Sequence, residues 1–170
     1  MRKYVWILLL TLSMVLSGCA EAGVHDGIKQ NNTENVMSLT ASSARVSAGN
    51  EAVITVRTKD NPGFLAMALV IRYEADVMTL VQVEKGSDFS EYNFVPANNL
   101  SDGCRVAWFA TEVRGESEDG ELLKLYFQIS ESAGSGSYSV SIIPIDDGSI
   151  VDRNKRSITV EGKETVITIE

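Results

Sequence analysis

The chain has 170 residues, 44% of them hydrophobic, and sets 23 Asp and Glu against 15 Lys and Arg for a formal net charge of −8. This acid excess excludes the basic footprint of a nucleic-acid-binding protein and any charge-driven attraction to an anionic lipid surface. The single histidine, His25, lies ahead of the first patterned segment, so no Ser-His or Cys-His nucleophilic site can be assembled in the domain that follows.

Arg2 and Lys3 precede an apolar run from Tyr4 to Leu16, and Ser17 and Gly18 lead into Cys19. A cationic start, an apolar stretch and a small-residue stop are the order of a secretory signal. The run falls short of the roughly 20 apolar residues that a spanning helix needs. The order Leu16-Ser17-Gly18-Cys19 resembles the box of bacterial lipoproteins. That resemblance implies cleavage before Cys19, a thioether-linked lipid on the cysteine, and anchorage at the bacterial cell surface or envelope. Loss of residues 1–18 would move the formal charge from −8 to −10, leaving the lipid to do the anchoring.

From Ala20 to Asn35 the sequence is polar and turn-rich without apolar periodicity, the composition of a flexible tether. At about 16 residues its r.m.s. reach is about 20–24 Å. The expected organisation is therefore a signal peptide at 1–18, a lipidated cysteine and tether at 19–36, and one domain at 37–170, enough chain for a single core.

Within the domain the period is that of strands. In "AVITVRT", Ile54 and Val56 alternate with Thr55 and Arg57, and in "ELLKLYFQIS", Leu123, Leu125, Phe127 and Ile129 alternate with Lys124, Tyr126 and Gln128. "SYSVSIIP" continues through Val140 and Ile142, and "TVITIE" closes through Val166 and Ile167 to Ile169. Turn chemistry falls at Asp60-Asn61-Pro62-Gly63, Asp102-Gly103, Asp119-Gly120, Gly134-Ser135-Gly136 and Asp147-Gly148. About eight or nine short strands at this spacing predict an all-β antiparallel sandwich of two sheets.

One segment departs from simple alternation. In "GFLAMALVIRYEAD", Leu65, Met67, Leu69, Ile71 and Tyr73 form one face while Phe64, Ala66, Ala68 and Val70 form the other. A strand apolar on both sides is either covered on both sides or presents its second face to a partner.

The order of three segments resembles the cohesin domain of cellulosome scaffolds: "NPGFLAMALVIRYEADVMTLVQVEKG" (Asn61 to Gly86), "GCRVAWFATE" (Gly103 to Glu112) and "GELLKLYFQISESAGSGSYSVSI" (Gly120 to Ile142). The resemblance implies a nine-stranded jelly-roll sandwich that works without catalysis or a cofactor of its own. One flat sheet face would bind a dockerin, a small module with calcium loops of EF-hand type borne by polysaccharide-degrading enzymes. Carried over by position, that face comprises Ala66, Ala68 and Val70 on one strand, and Val106, Trp108 and Ala110 on its neighbour, with Thr111 and Glu112 near the rim. Many cohesins place Asn and Asp where this chain has Ala66 and Ala68, so its face is unusually apolar. Trp108 would then be the aromatic anchor, whose truncation costs about 2 kcal/mol or more of binding; the alternative is that the alternation runs the other way, with Trp108 in the core and Ala107 and Phe109 outside.

Other chemistries find less support. "GESEDG" offers Glu116, Glu118 and Asp119 as paired carboxylates for a glycosidase, but such a cluster reads as a solvated loop and lacks the ligand spacing of a calcium loop. Asp146 and Asp147 shape a turn, and Arg105, Arg114 and Lys124 read as surface charges. Cys104, without a second domain cysteine, reads as a buried small hydrophobe. A sugar-binding face, the competing reading, uses several coplanar aromatics, whereas Tyr73, Tyr92, Tyr126 and Tyr138 are scattered over different segments. A structural or adhesive envelope lipoprotein is the third reading.

Overall fold

The computed structural model describes residues 35–100, 103–110, 119–145, 150–152 and 154–170, and only the backbone of 98–100. Twelve strands are formed among the described residues: β1 (Val36–Ala41), β2 (Ala44–Val46), β3 (Glu51–Lys59), β4 (Phe64–Tyr73), β5 (Met78–Lys85), β6 (Asn93–Leu100), β7 (Gly103–Phe109), β8 (Glu121–Ile129), β9 (Gly136–Pro144), β10 (Val151–Asp152), β11 (Thr159–Glu161) and β12 (Lys163–Ile169). A 3₁₀ turn at Ser87–Phe89 is the one helical element among these residues.

One sheet has the order β11-β1-β3-β8-β5, and the other β2-β12-β9-β4-β7-β6 with β10 also paired to β4. The expected all-β sandwich is the fold observed. Its extra strands, β2, β10 and β11, are two or three residues long. The pairing is antiparallel except at β1 with β11 and β2 with β12, which run parallel.

The alternation read from the sequence sets the core. Ile54 and Val56 from β3, and Leu123, Leu125, Phe127 and Ile129 from β8, are buried against Met67, Leu69 and Ile71 of β4 and Val140 and Ile142 of β9 in one continuous cluster. Removing such side chains from water is the main favourable term of folding. In β12, Ile167 and Ile169 join the cluster while Val166 turns outward.

Local chemistry fixes how the chain crosses between sheets. Between β3 and β4, Asp60 at φ 58° and Gly63 at φ 80° take left-handed backbone, which glycine adopts without steric cost. The Gly63 N–H donates to Asn61 Oδ1 and the Asn61 N–H to Asp119 Oδ1, each at 3.0 Å, tying this turn to the segment before β8. Between β5 and β6, Phe64, Phe89 and Tyr92 pack ring on ring, with Phe64 and Tyr92 centroids 4.7 Å apart. The Tyr92 hydroxyl donates to the Phe64 carbonyl at 2.6 Å, and Lys85 Nζ donates to the carbonyls of Ser90 and Tyr92, each at 2.7 Å.

β10 is held by one buried carboxylate. Asp152 Oδ1 accepts from the N–H groups of Asn154 (2.8 Å) and Arg156 (2.9 Å), and Oδ2 accepts from Arg156 Nε (2.8 Å), Arg156 Nη2 (2.7 Å) and Asn35 Nδ2 (3.1 Å). Burial pushes the Asp152 carboxyl up, but these N–H donors and the Arg156 guanidinium outweigh it and hold the group below its ordinary value of 3.8. A depressed folded-state pKa means that the stabilisation is fully present above the unfolded value and is lost as pH falls through the folded one. Asp152→Asn, with the same shape and no charge, is therefore expected to lose about 2 kcal/mol at pH 7. In urea denaturation its deficit against the parent should shrink as the pH is lowered below the ordinary carboxylate range.

Candidate functional site

β4 is central in its sheet. β7 lines one edge over Ala66 to Arg72, and the other edge is shared by β9 over Leu69 to Tyr73 and by β10 over Phe64 to Ala66. The Ile145 N–H fills the gap between those two by donating to the Ala68 carbonyl at 2.9 Å. Gly103 lets β7 approach this closely, because a Cβ there would lie 2.2 Å from the Ile71 carbonyl oxygen.

Residues directly opposite in an antiparallel pair point to the same side of a sheet. With Met67, Leu69 and Ile71 inside, Ala66, Ala68 and Val70 point outward, and the register puts Phe109, Ala107 and Arg105 beside them. Across β6 the same three rows continue as Asn93, Val95 and Ala97, and β9 adds Ile143 opposite Val70. Phe109 is 43% exposed, Val95 50% and Ile143 42%. The outer surface of β6, β7, β4 and β9 is thus a largely apolar field of small side chains with one exposed phenyl ring at the end of β7.

The opposite sheet shows what an ordinary solvated face looks like in the same molecule. There β3, β8 and β5 present mainly Thr55, Arg57, Lys124, Tyr126, Gln128 and Glu84, linked by Tyr126 Oη to Glu84 at 2.8 Å and Lys124 to Glu121 at 3.2 Å, with Val53 and Val81 exposed among them. The contrast marks the apolar face as the functional candidate, since contiguous exposed apolar surface signals an interaction site.

The structure corrects half of the face expected from the sequence. Val106 is fully buried opposite Leu69, Trp108 is 1% exposed opposite Met67, and Ala110 packs against the core. Trp108 stacks at a tilt on Phe94, centroids 5.1 Å apart, and its Nε1 is buried without a hydrogen-bond partner among the described residues. The physical reason is parity. A shift of one residue along a strand moves every side chain to the other face, and the larger Trp108 fills the core while Phe109 takes the outside. Ala66, Ala68 and Val70 do point outward. Thr111, Glu112 and Cys19 lie outside the described residues, as do Glu116, Glu118, Asp146 and Asp147.

The structure takes the second alternation of this strand, with Ala107 and Phe109 outside, and the sequence signal that decides for it is Arg105: a charged residue belongs outside, and Ala107 and Phe109 share its parity. Sequence reasoning missed Val95, Ala97 and Ile143 as face residues. Among the described residues no three His, Cys, Asp or Glu side chains gather in a way that could hold a metal. Cys104 is buried, and burial pushes its thiol pKa up, away from nucleophilic character.

The family model for the cohesin domain matches residues 36–169. The chain belongs to the cohesin family. Cohesin domains are non-catalytic protein–protein interaction modules. Among solved structures, a Clostridium acetobutylicum cohesin crystallised with a dockerin is 18% identical, covers 79% of this chain and 99% of its own, and superposes with a TM-score of 0.69. A type I cohesin–dockerin complex from Clostridium thermocellum gives 13% identity, 80% and 100% coverage, and a TM-score of 0.66. A non-cellulosomal cohesin from the archaeon Archaeoglobus fulgidus gives 17%, 78% and 91%, and 0.59. No curated protein sequence matches the chain. At these identities the likeness establishes the cohesin sandwich.

The parity of β7 is open to a direct check. Trp108→Ala is expected to lose about 3–5 kcal/mol of stability in chemical denaturation, as for a large core residue. Phe109→Ala should stay within about 0.5 kcal/mol of the parent. The reverse ranking would place Trp108 outside.

Proposed function

We propose that this cohesin domain binds a dockerin-bearing protein, of the kind that degrades polysaccharide, through the outer face of β6, β7, β4 and β9, and that a lipid on Cys19 holds it at the cell surface. The observation that carries the docking reading is the largely apolar field that ends at exposed Phe109, set on the sheet opposite to the one with a mainly polar, internally bonded outer surface. Small outward side chains such as Ala66, Ala68 and Ala107 allow a partner element to lie close. An exposed aromatic surrounded by contacts that exclude water is the anatomy of an interface anchor. Family membership and the cohesin–dockerin complexes of similar fold give the partner its class. The anchoring half rests on sequence: the lipoprotein-like order ending at Cys19 and the polar segment that separates it from β1. A tether of this kind would let the face turn toward partners while the domain remains near the membrane.

Two measurements test the proposal. Calcium-loaded dockerin modules titrated onto the intact chain in detergent are expected to bind and to be released by a chelator, since their loops need the ion to fold. Phe109→Ala should weaken that binding by about 30-fold, the equivalent of about 2 kcal/mol. Retention on insoluble polysaccharide with no dockerin bound would replace the docking reading with sugar binding. For the anchor, incorporation of a labelled fatty acid into the parent and its loss in Cys19→Ser is the expected result. A Cys19→Ser protein labelled as strongly as the parent would refute the lipid site.

A further inference from the structure

The row of the face that holds Phe109 does not stop at β4. Asn93 stands opposite Phe109 and Phe109 opposite Ala66, and across the other edge of β4 Ala66 is opposite Val151 of β10. Opposed residues share a side of the sheet, so half-buried Val151 points outward in line with Phe109, two strand spacings or about 10 Å away. β10 is two residues long and meets β4 at two positions, with an irregular register between them. Little of its hold comes from the ladder. The next residue, Asp152, is turned inward opposite Phe64 and is 1% exposed. There its carboxylate accepts from the N–H groups of Asn154 and Arg156, from the Arg156 guanidinium and from the Asn35 side chain. The chain then doubles back, with Val151 bridged to Ser157. The Asp152 N–H donates to the Arg156 carbonyl and the Lys155 N–H to the Asp152 carbonyl, each at 2.9 Å, with Lys155 in left-handed backbone at φ 60°. Ile150 and Ile158 are buried in the core, and the Ile158 N–H donates to the Ile150 carbonyl at 3.0 Å.

We infer that Val151 is a further contact of the docking face, completing the Phe109 row, and that the Asp152 carboxylate is the group that positions it. This deepens the docking reading and rests on it. Parity links the two residues. A slip of one residue along β10 would turn Val151 inward and Asp152 outward, parting the carboxylate from its donors and leaving those N–H groups without an acceptor. The carboxylate thus keeps its neighbour on the face while touching no partner itself. A dockerin seated on Phe109 and Ala66 covers Val151 at the end of the same row, and the apolar contact adds to the area removed from water. With the carboxylate neutralised, the hairpin opens part of the time, and apparent affinity falls by the fraction that stays closed. Among the described residues, the charged group bonded to Asp152 is Arg156 of the same hairpin, while Asn35 ahead of β1 and Phe64 of β4 bring no charge. Because Asp152 is held below its ordinary carboxylate value, the positioning is present at neutral pH and is lost as pH falls through the folded-state value.

The test titrates the calcium-loaded dockerins of the Clostridium acetobutylicum and Clostridium thermocellum complexes onto the intact chain in detergent. Val151→Glu is expected to weaken binding about tenfold at pH 7, because docking would strip water from a carboxylate on an apolar row. Asp152→Asn should also weaken it about tenfold, the value for a hairpin closed in about one molecule in ten. Asn35→Ala removes one donor and should fall between that variant and the parent. Ile54→Val trims the core from the opposite sheet and controls for general loss of stability, so it should bind as the parent does. Acid also weakens calcium loops, so the ratio of parent to Asp152→Asn affinity is the quantity read against pH, and it should approach one below the carboxylate range. Hydrogen exchange gives a second readout. The Arg156 amide should exchange faster in Asp152→Asn and slow again when dockerin is bound, since coupling between two equilibria is reciprocal. If Val151→Glu or Asp152→Asn binds as tightly as the parent while Phe109→Ala weakens binding, the inference is overturned and the docking reading stands. The same holds if Ile54→Val weakens binding as much as Asp152→Asn. If no form binds, parent included, the docking reading falls and takes the inference with it.

Discussion

Leu69 and Val106 face each other across β4 and β7 with both side chains in the core, and that pairing decides which side of the sheet every neighbouring residue occupies. Once it is set, Trp108 must enter the interior opposite Met67 and Phe109 must leave it opposite Ala66. The same register carries across to β6, where Val95 emerges beside Ala107, and to β9, where Ile143 emerges beside Val70. The outer apolar face is therefore a by-product of how the core is packed. It cannot be edited by sliding a strand, because a slip of one residue would expose Leu69 and Val106 together and bury Arg105.

Where polar residues mark one side of a strand, the sequence is read correctly. Thr55 and Arg57 in β3, and Lys124, Tyr126 and Gln128 in β8, reveal the parity, and Ile54, Val56, Leu123, Leu125, Phe127 and Ile129 are buried as expected. β7 resists the same treatment because Val106 and Trp108 on one side and Ala107 and Phe109 on the other are all apolar, leaving Arg105 as the only marker. β6 carries Pro96 and several Asn residues, which argue against a strand when read locally. It forms one at the edge of the sheet, where the side of Pro96 away from β7 has no ladder bond to lose. The short strands β2, β10 and β11 owe their existence to neighbours distant in sequence, so no local pattern announces them.

Charge tells a similar story at two scales. The formal charge of −8 argues against a nucleic-acid footprint, yet the described outward side chains of β7 and β4 include two arginines, Arg105 and Arg72. Carboxylates and hydroxyls on the opposite sheet are engaged with one another, as Glu84 is with Tyr126. A surface whose polar groups are already satisfied has little to offer a partner, whereas apolar side chains gain by being covered.

The way the chain enters the domain bears on mechanical load. β1 begins directly after Asn35, whose side chain donates to Asp152 and whose carbonyl accepts from Thr159, and β1 runs between β3 and β11. A pull on the segment ahead of Asn35 acts along β1, nearly at right angles to its antiparallel hydrogen bonds with β3. Those bonds, and the parallel ones to β11, are then strained together in shear instead of opening one after another like a zipper. A module anchored at its N-terminal end and tugged by cargo on its apolar face would resist detachment by sharing the force across two ladders at once.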